Sequence, residues 1–166
     1  GLPLRFQRTS LQAVASQALL GRAITWNDRG TLGRLSMSKF VGSDASGKTF
    51  RSGAGLNAAP DTSIVPIEIE PSRQVAMIAE RGPTHVISYP KVVLSWVQTG
   101  LLDQLSSIRT IILTGEVLRP DVRNQIETAL KVKIIDAYST SEVGPVAFEG
   151  PEGTMRICEE NVFLEG

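Results

Sequence analysis

The sequence predicts an α/β domain built on a mostly parallel sheet flanked by helices, and three observations predict it. From Pro71 onward, short Val/Ile-rich runs alternate three times with helical patterns of about ten residues. Each helix in such a repeat must cover a face of the sheet, which calls for crossover connections and parallel strands. The 166 residues suffice for one hydrophobic core, and 42% hydrophobic with 20% charged residues is the composition of an ordinary globular domain.

The elements follow in order. Residues 11 to 26 place Leu11, Val14, Ala15, Ala18, Leu19 and Ala23 on one stripe of an amphipathic helix, slightly weakened by Gly21. Arg34 to Val41 alternates as a strand, whereas residues 42 to 63, rich in Gly, Ser, Ala and Asp, sustain neither period and read as a long loop. Helix 72–81, strand 84–89, helix 90–99, strand 109–114, helix 119–130 and strand 132–138 come next. Pro120 and Asp121 start the last of these helices, because its first turn needs no donor from proline and its dipole favours a carboxylate. After Gly144 the period becomes β-like in Pro145 to Phe148, Met155 to Cys158 and Val162 to Glu165. This divides the chain into a partial α/β domain, 1–144, and the truncated start of a small β-rich subdomain, 145–166. The first residue is not Met and the final strand has nothing after it to pair with, so a fragment is expected.

Charge and cysteine usage exclude several classes. Seventeen basic residues balance seventeen acidic ones with no basic stripe, so no nucleic acid partner is expected. One cysteine, Cys158, allows no internal disulfide, and no Cys/His cluster has zinc spacing. No signal peptide and no apolar run of about 18 residues is present, so no membrane partner is expected and the natural compartment is the cytoplasm. Cys158, beside Glu159 and Glu160, reads as structural because its neighbours disfavour a thiolate. His85 reads as a buried or capping side chain, and Trp26 and Trp96 as core.

Two segments have nucleotide chemistry. Gly42-Ser43-Asp44-Ala45-Ser46-Gly47-Lys48-Thr49 satisfies the phosphate-loop pattern, which works only when a helix starts at the Lys-Thr. Downstream, Gly53, Gly55 and Pro60 oppose that helix, so the match reads as a solvated loop with an exposed Lys48. The second candidate joins two strand ends, Thr114-Gly115-Glu116 and Asp136-Ala137-Tyr138-Ser139-Thr140-Ser141-Glu142-Val143-Gly144. Both open at carboxyl ends of predicted parallel strands, where α/β sheets place ligands. The second loop offers an aromatic face at Tyr138, hydroxyls at Ser139, Thr140 and Ser141, and a carboxylate at Glu142, suited to a base, a phosphate and a hard cation. The same residue types also make an ordinary turn or helix cap.

At these residues the sequence resembles the adenylate-forming superfamily of acyl-CoA ligases and adenylation domains, particularly its phenylacetate-CoA ligase-like branch. The likeness covers about residues 64 to 166, and 11 to 41 more faintly. Ser139 stands where the family usually has glycine, Ser141 where it has threonine and Val117 where it has proline. The resemblance implies that Tyr138 lies against the adenine of ATP or AMP, with Gly115, Glu116, Asp136 and Ala137 bordering it and Ser139 and Thr140 in the same loop. It implies that Ser141 contacts the α-phosphate and that Glu142 binds Mg2+. Arg8-Thr9-Ser10 occupies the place of the family's phosphate-gripping loop and Leu11 follows at once, so either the glycine-rich loop is lacking or a Gly/Ser/Thr-rich insert belongs between Ser10 and Leu11, of which the second is the expectation.

The implied reaction is attack of a small carboxylic acid, with an aromatic acid as the candidate, on the α-phosphate of ATP, followed by thioester formation with coenzyme A or a carrier-protein thiol. Ser88, Tyr89 and Pro90 would line the acid pocket. A ribose-binding aspartate and a lysine-bearing C-terminal domain belong beyond Gly166 in the family, so the piece is not expected to catalyse alone. A P-loop NTPase using Gly42 to Thr49 and a non-catalytic interaction domain are the competing readings.

Overall fold

Proline opens three of the helices. The computed structural model describes residues 9–28, 35–39, 62–140 and 142–163. In it Pro71, Pro90 and Pro120 stand in the first turns of α2 (Pro71–Arg81), α3 (Pro90–Val97) and α4 (Pro120–Leu130). A proline there gives up a donor the helix does not use, and it holds the preceding residue extended, as in Tyr89 and Arg119 with ψ of 144° and 143°. Helices α2 and α4 end in left-handed residues, Gly82 and Lys131, each with φ 55° and each donating its N–H back into the last turn. The first helix, α1 (Ser10–Asp28), starts with a reciprocal cap. Gln12 N–H donates to Thr9 Oγ1 at 3.2 Å, and Thr9 N–H donates to Gln12 Oε1 at 2.9 Å.

The strands are β1 (Leu35–Lys39), β2 (Thr62–Pro66), β3 (His85–Ser88), β4 (Thr110–Thr114), β5 (Lys133–Thr140), β6 (Gly144–Glu149) and β7 (Met155–Ile157). They form one sheet in the order β2-β1-β3-β4-β5-β6-β7. From β2 to β5 every pairing is parallel, and β6 and β7 add on antiparallel. The α/β class with a mostly parallel sheet is therefore as the periodicity foretold.

Side chains alternate between two cores, as the pleat requires. Val86, Ile111, Leu113 and Ile134 join Val75 and Ile78 of α2, Val93 and Trp96 of α3 and Ile126 of α4. Ile112, Ile135, Ala137 and Phe148 join Leu19, Ala23 and Ile24 of α1 on the other face. Trp96 is wholly buried and donates Nε1–H to Gln74 Oε1 at 2.6 Å. The amide of Gln74 in turn donates to the carbonyls of Ile67 and Ile69, so this buried polar group is satisfied.

Several expectations need correction. Strand β2 begins inside the stretch read as loop. It is short and ends in Pro66, which suits the outermost position it takes among the described strands. Strands β6 and β7 continue the main sheet, and Val162 and Phe163 are not in a strand. In α1 the buried stripe is Leu19, Ala23 and Ile24, while Leu11 is 78% exposed. Ser10 and Leu11 are consecutive residues of α1, whose first turn is capped by Thr9. Trp26 is only half-buried, because the guanidinium groups of Arg22 and Arg156 lie over its ring at 4.7 and 5.2 Å instead of core side chains. The phosphate-loop match, Gly42 to Thr49 with Lys48, lies outside the described residues. No helix among the described residues is long and apolar enough to cross a membrane.

Candidate active site

Parallel pairing brings the carboxyl ends of β3, β4 and β5 side by side. Ser88 pairs with Leu113, and Thr114 pairs with Ala137, so Tyr89 and Gly115 leave the sheet next to Tyr138, where β5 passes beyond its parallel partner. Gly115 turns away with φ 81°, in the region that favours glycine. A Cβ there would lie 2.6 Å from Cε1 and 2.8 Å from Cδ1 of Tyr89, so the ring rests on the bare backbone. Glu116, the next residue, is exposed and accepts a long hydrogen bond of 3.4 Å from the backbone N–H of Lys91, in the first turn of α3. A carboxylate at a helix N-terminus is favoured by the dipole.

The β5 end is tied to β4 through hydroxyls. Thr114 Oγ1 and Ser139 Oγ are 2.7 Å apart, one donating to the other. Beyond them the chain reverses into β6. Val143 N–H donates to Thr140 Oγ1 at 3.3 Å, and Asn161 Nδ2 donates to the carbonyls of Val143 and Pro145 at 3.0 and 2.8 Å. Gly144 has φ 86°, and a Cβ there would approach Ser16 Oγ of α1 to 3.1 Å. The turn is thus braced from both sides. Its functional groups are left facing outward: Tyr138 is 58% exposed and Glu142 is exposed.

Asp136 and Ala137 occupy opposite faces of β5. Ala137 packs into the α1 core with Phe148, so only its backbone can border a ligand. Asp136 lies half-buried on the α4 face. Burial and then the nearby charge of Glu149 push its carboxyl pKa up, against the lowering pull of the Ala137 backbone N–H and Arg123. Ser141 lies outside the described residues.

Elsewhere the titratable groups are structural. Burial raises the Cys158 thiol, opposed by Arg22, so the thiol stays a poor nucleophile. His85 is buried, with Nδ1 2.8 Å from Thr84 Oγ1. Among the described residues no three His, Cys, Asp or Glu side chains gather to hold a metal. A single exposed carboxylate at Glu142 still fits Mg2+, which keeps waters and takes one or two carboxylates beside substrate phosphates.

Sequence reasoning brought Gly115, Glu116, Asp136, Tyr138, Ser139, Thr140 and Glu142 to one edge of the sheet, where they lie. It missed Thr114 as the partner of Ser139 and Asn161 as the brace of the turn, because each is far from its partner in sequence. Tyr89, taken as a wall of the acid pocket, is also the ring that Gly115 accommodates.

Comparison with known proteins bears on the fold. No family model matches the chain, and no curated protein matches it by sequence. Solved structures do. The amide bond synthetase McbA from Marinactinospora thermotolerans is 19% identical, with a TM-score of 0.59 over 84% of this chain and 28% of that one. The anthranilate CoA ligase AuaEII, solved in complex with anthranoyl-AMP, is 16% identical, with a TM-score of 0.60 over 84% of this chain and 28% of that one. A 2-hydroxyisobutyryl-CoA ligase, solved with 2-HIB-AMP and CoA, is 15% identical, with a TM-score of 0.59 over 86% of this chain and 32% of that one. The chain spans less than a third of the length of each of these three proteins. What it shares with them is the fold, a mixed α/β sheet flanked by helices of the kind found in adenylate-forming enzymes.

Proposed function

We propose that this chain is part of an ATP-dependent enzyme that activates a carboxylic acid as an acyl-adenylate and then transfers the acyl group to the thiol of coenzyme A. The observation that carries this reading is an exposed aromatic ring and an exposed carboxylate, Tyr138 and Glu142, four residues apart at the end of a parallel strand. They stand beside Gly115, whose backbone is kept bare.

In this reading the adenine of ATP stacks on Tyr138, and the backbone of Gly115 and Glu116 borders it together with Asp136 and Ala137. Ser141 contacts the α-phosphate, and Glu142 holds Mg2+, whose positive charge stabilises the phosphates when it is bound. A carboxylate oxygen of the acid attacks the α-phosphorus, the bond to the pyrophosphate oxygen breaks, and pyrophosphate leaves. A thiol then adds to the acyl carbon, releasing AMP and forming the thioester. Ser139 Oγ is engaged with Thr114, so its part is to fix the loop rather than to bind phosphate.

Support comes from the neighbours' own ligands, anthranoyl-AMP in one and 2-HIB-AMP with CoA in another. The phenylacetate-CoA ligase-like branch and an aromatic acid rest on the sequence resemblance. An amine is the competing acceptor, since an amide bond synthetase shares the fold equally well. Pyrophosphate exchange into ATP by the intact enzyme tests the first step: exchange should depend on added carboxylic acid. Nucleotide hydrolysis without any acid, abolished in Lys48→Ala, would overturn this reading in favour of a P-loop NTPase. Supplying coenzyme A or an amine to the adenylate then identifies the acceptor.

A further inference from the structure

Glu149, the last residue of β6, is largely enclosed, with 14% of its side chain exposed. Its Oε2 accepts the backbone N–H of Asp136 at 2.9 Å, and the same oxygen pairs with Arg123 Nη2. Arg123 comes from α4 and reaches Glu127 Oε1 through its other terminal nitrogen at 3.3 Å. Burial works against the Arg123 charge, yet Glu149 and Glu127 raise its pKa, so the guanidinium stays charged.

The arrangement is unusual for a strand inside a sheet. The N–H of a strand residue normally donates to a backbone carbonyl of its neighbour. Here a side chain from the adjoining strand takes the N–H of Asp136, and a helix on the sheet face holds that side chain. The point so fixed is two residues before Tyr138, on the same face of β5, and the ladder shifts register just after Tyr138. Tyr138 stands between this anchor and the register shift, so the tie at Asp136 helps to set where the aromatic ring stands.

We propose that Glu149, held by Arg123, is a positioning residue for nucleotide, fixing the Asp136 backbone and thereby the base-facing surface of Asp136 and Tyr138. The inference rests on the reading that ATP binds at this strand end. Neither residue touches the nucleotide.

The test uses the intact enzyme and the steady-state parameters of pyrophosphate exchange in three variants. Glu149→Ala removes the acceptor for the Asp136 N–H, Glu149→Gln keeps an acceptor but not the charge, and Arg123→Met frees the carboxylate from α4. Glu149→Ala should raise KM for ATP at least about 10-fold while kcat and KM for the acid stay within about twofold, as expected for lost ground-state positioning. Glu149→Gln should recover most of the loss, and Arg123→Met should fall between. An unchanged KM for ATP in folded Glu149→Ala, or equal losses in all three parameters, overturns the proposal. If Glu149→Ala does not fold, Arg123→Met decides, and an unchanged KM for ATP there overturns it. A wild-type enzyme that fails to bind ATP in a direct titration would overturn the functional reading as well, whereas acid-dependent exchange with unaffected variants rejects this inference alone.

Discussion

The two loops of the candidate site are anchored in opposite ways. The β4–α4 loop is fixed by close approach: Gly115 lies under the Tyr89 ring, and Glu116 faces the start of α3. The β5–β6 turn is braced from behind, by Thr114, Asn161 and Ser16, and leaves Tyr138 and Glu142 facing outward. One loop is shaped by what cannot fit there, the other by what it presents. Substitutions in the first should therefore register in stability and those in the second in chemistry.

The largest effect tests the presenting loop. In the intact enzyme Glu142→Gln should reduce acid-dependent pyrophosphate exchange at least about 10²-fold, the scale of one strong electrostatic contact to developing charge. Because Glu142 is exposed, its urea midpoint should correspond to a stability change within about 0.5 kcal/mol. Near-equal exchange rates for the two proteins, measured at saturating magnesium, would remove Glu142 from the site.

Gly115→Ala tests the other loop and should do the reverse. The new methyl group meets the Tyr89 ring at 2.6 Å in a backbone with φ 81°, so the cost should be about 2 kcal/mol, from clash and left-handed strain together. Adding Tyr89→Ala removes the clash but not the strain. Thermal melts of the single and double variants should thus show partial recovery at residue 115. Full additivity of the two substitutions would mean that the ring and Gly115 are energetically independent.

Next in size is the hydroxyl pair that joins the loops. Thr114→Val leaves Ser139 without its partner and should cost about 1 kcal/mol, as should Ser139→Ala. The double variant should lose less than the sum, and a strictly additive result in denaturant melts would show that the 2.7 Å contact carries no energy.

These contacts mark where the sequence stops being legible. Periodicity located every α-helix from Pro71 to Leu130 but not the short 3-10 turn Leu102–Leu105, because each α-helix buries a stripe whose spacing is local. It also placed Gly115, Tyr138 and Glu142 on one sheet edge, since alternating strands and helices leave few topologies. Strand β2 escaped because five residues ending in proline sustain no period against a Gly/Ser-rich background. Ser139 read as one of three loop hydroxyls open to the nucleotide, since nothing in its own neighbourhood shows that Thr114, 25 residues earlier, takes its hydroxyl. Trp26 read as core, although Arg22 four residues before it was a signal for a stacked guanidinium. Glu149 and Arg123, 26 residues apart, had no sequence pattern at all.

The smallest effect concerns Asp136, where stability and binding should move in opposite directions. Burial and then the Glu149 charge raise its carboxyl pKa above the ordinary 3.8. The folded protein therefore keeps this proton to higher pH than the unfolded chain does. Between 3.8 and the folded value the native state binds more protons, so stability falls as pH rises through that window and stays lowered above it. Asp136→Asn carries no charge in either state and removes this contribution. Urea midpoints taken at steps from pH 3 to pH 7 should diverge through the window, leaving the variant modestly more stable than wild type at neutral pH. Its KM for ATP should nevertheless rise, because the charged carboxyl at the base-facing surface is gone. Parallel pH curves would show that Asp136 is not held in a desolvated position, and a less stable variant at pH 7 would show that the carboxylate is favoured where it lies. An unchanged KM for ATP in Asp136→Asn would place Asp136 outside the ligand-facing surface and leave Tyr138 to hold the base without it.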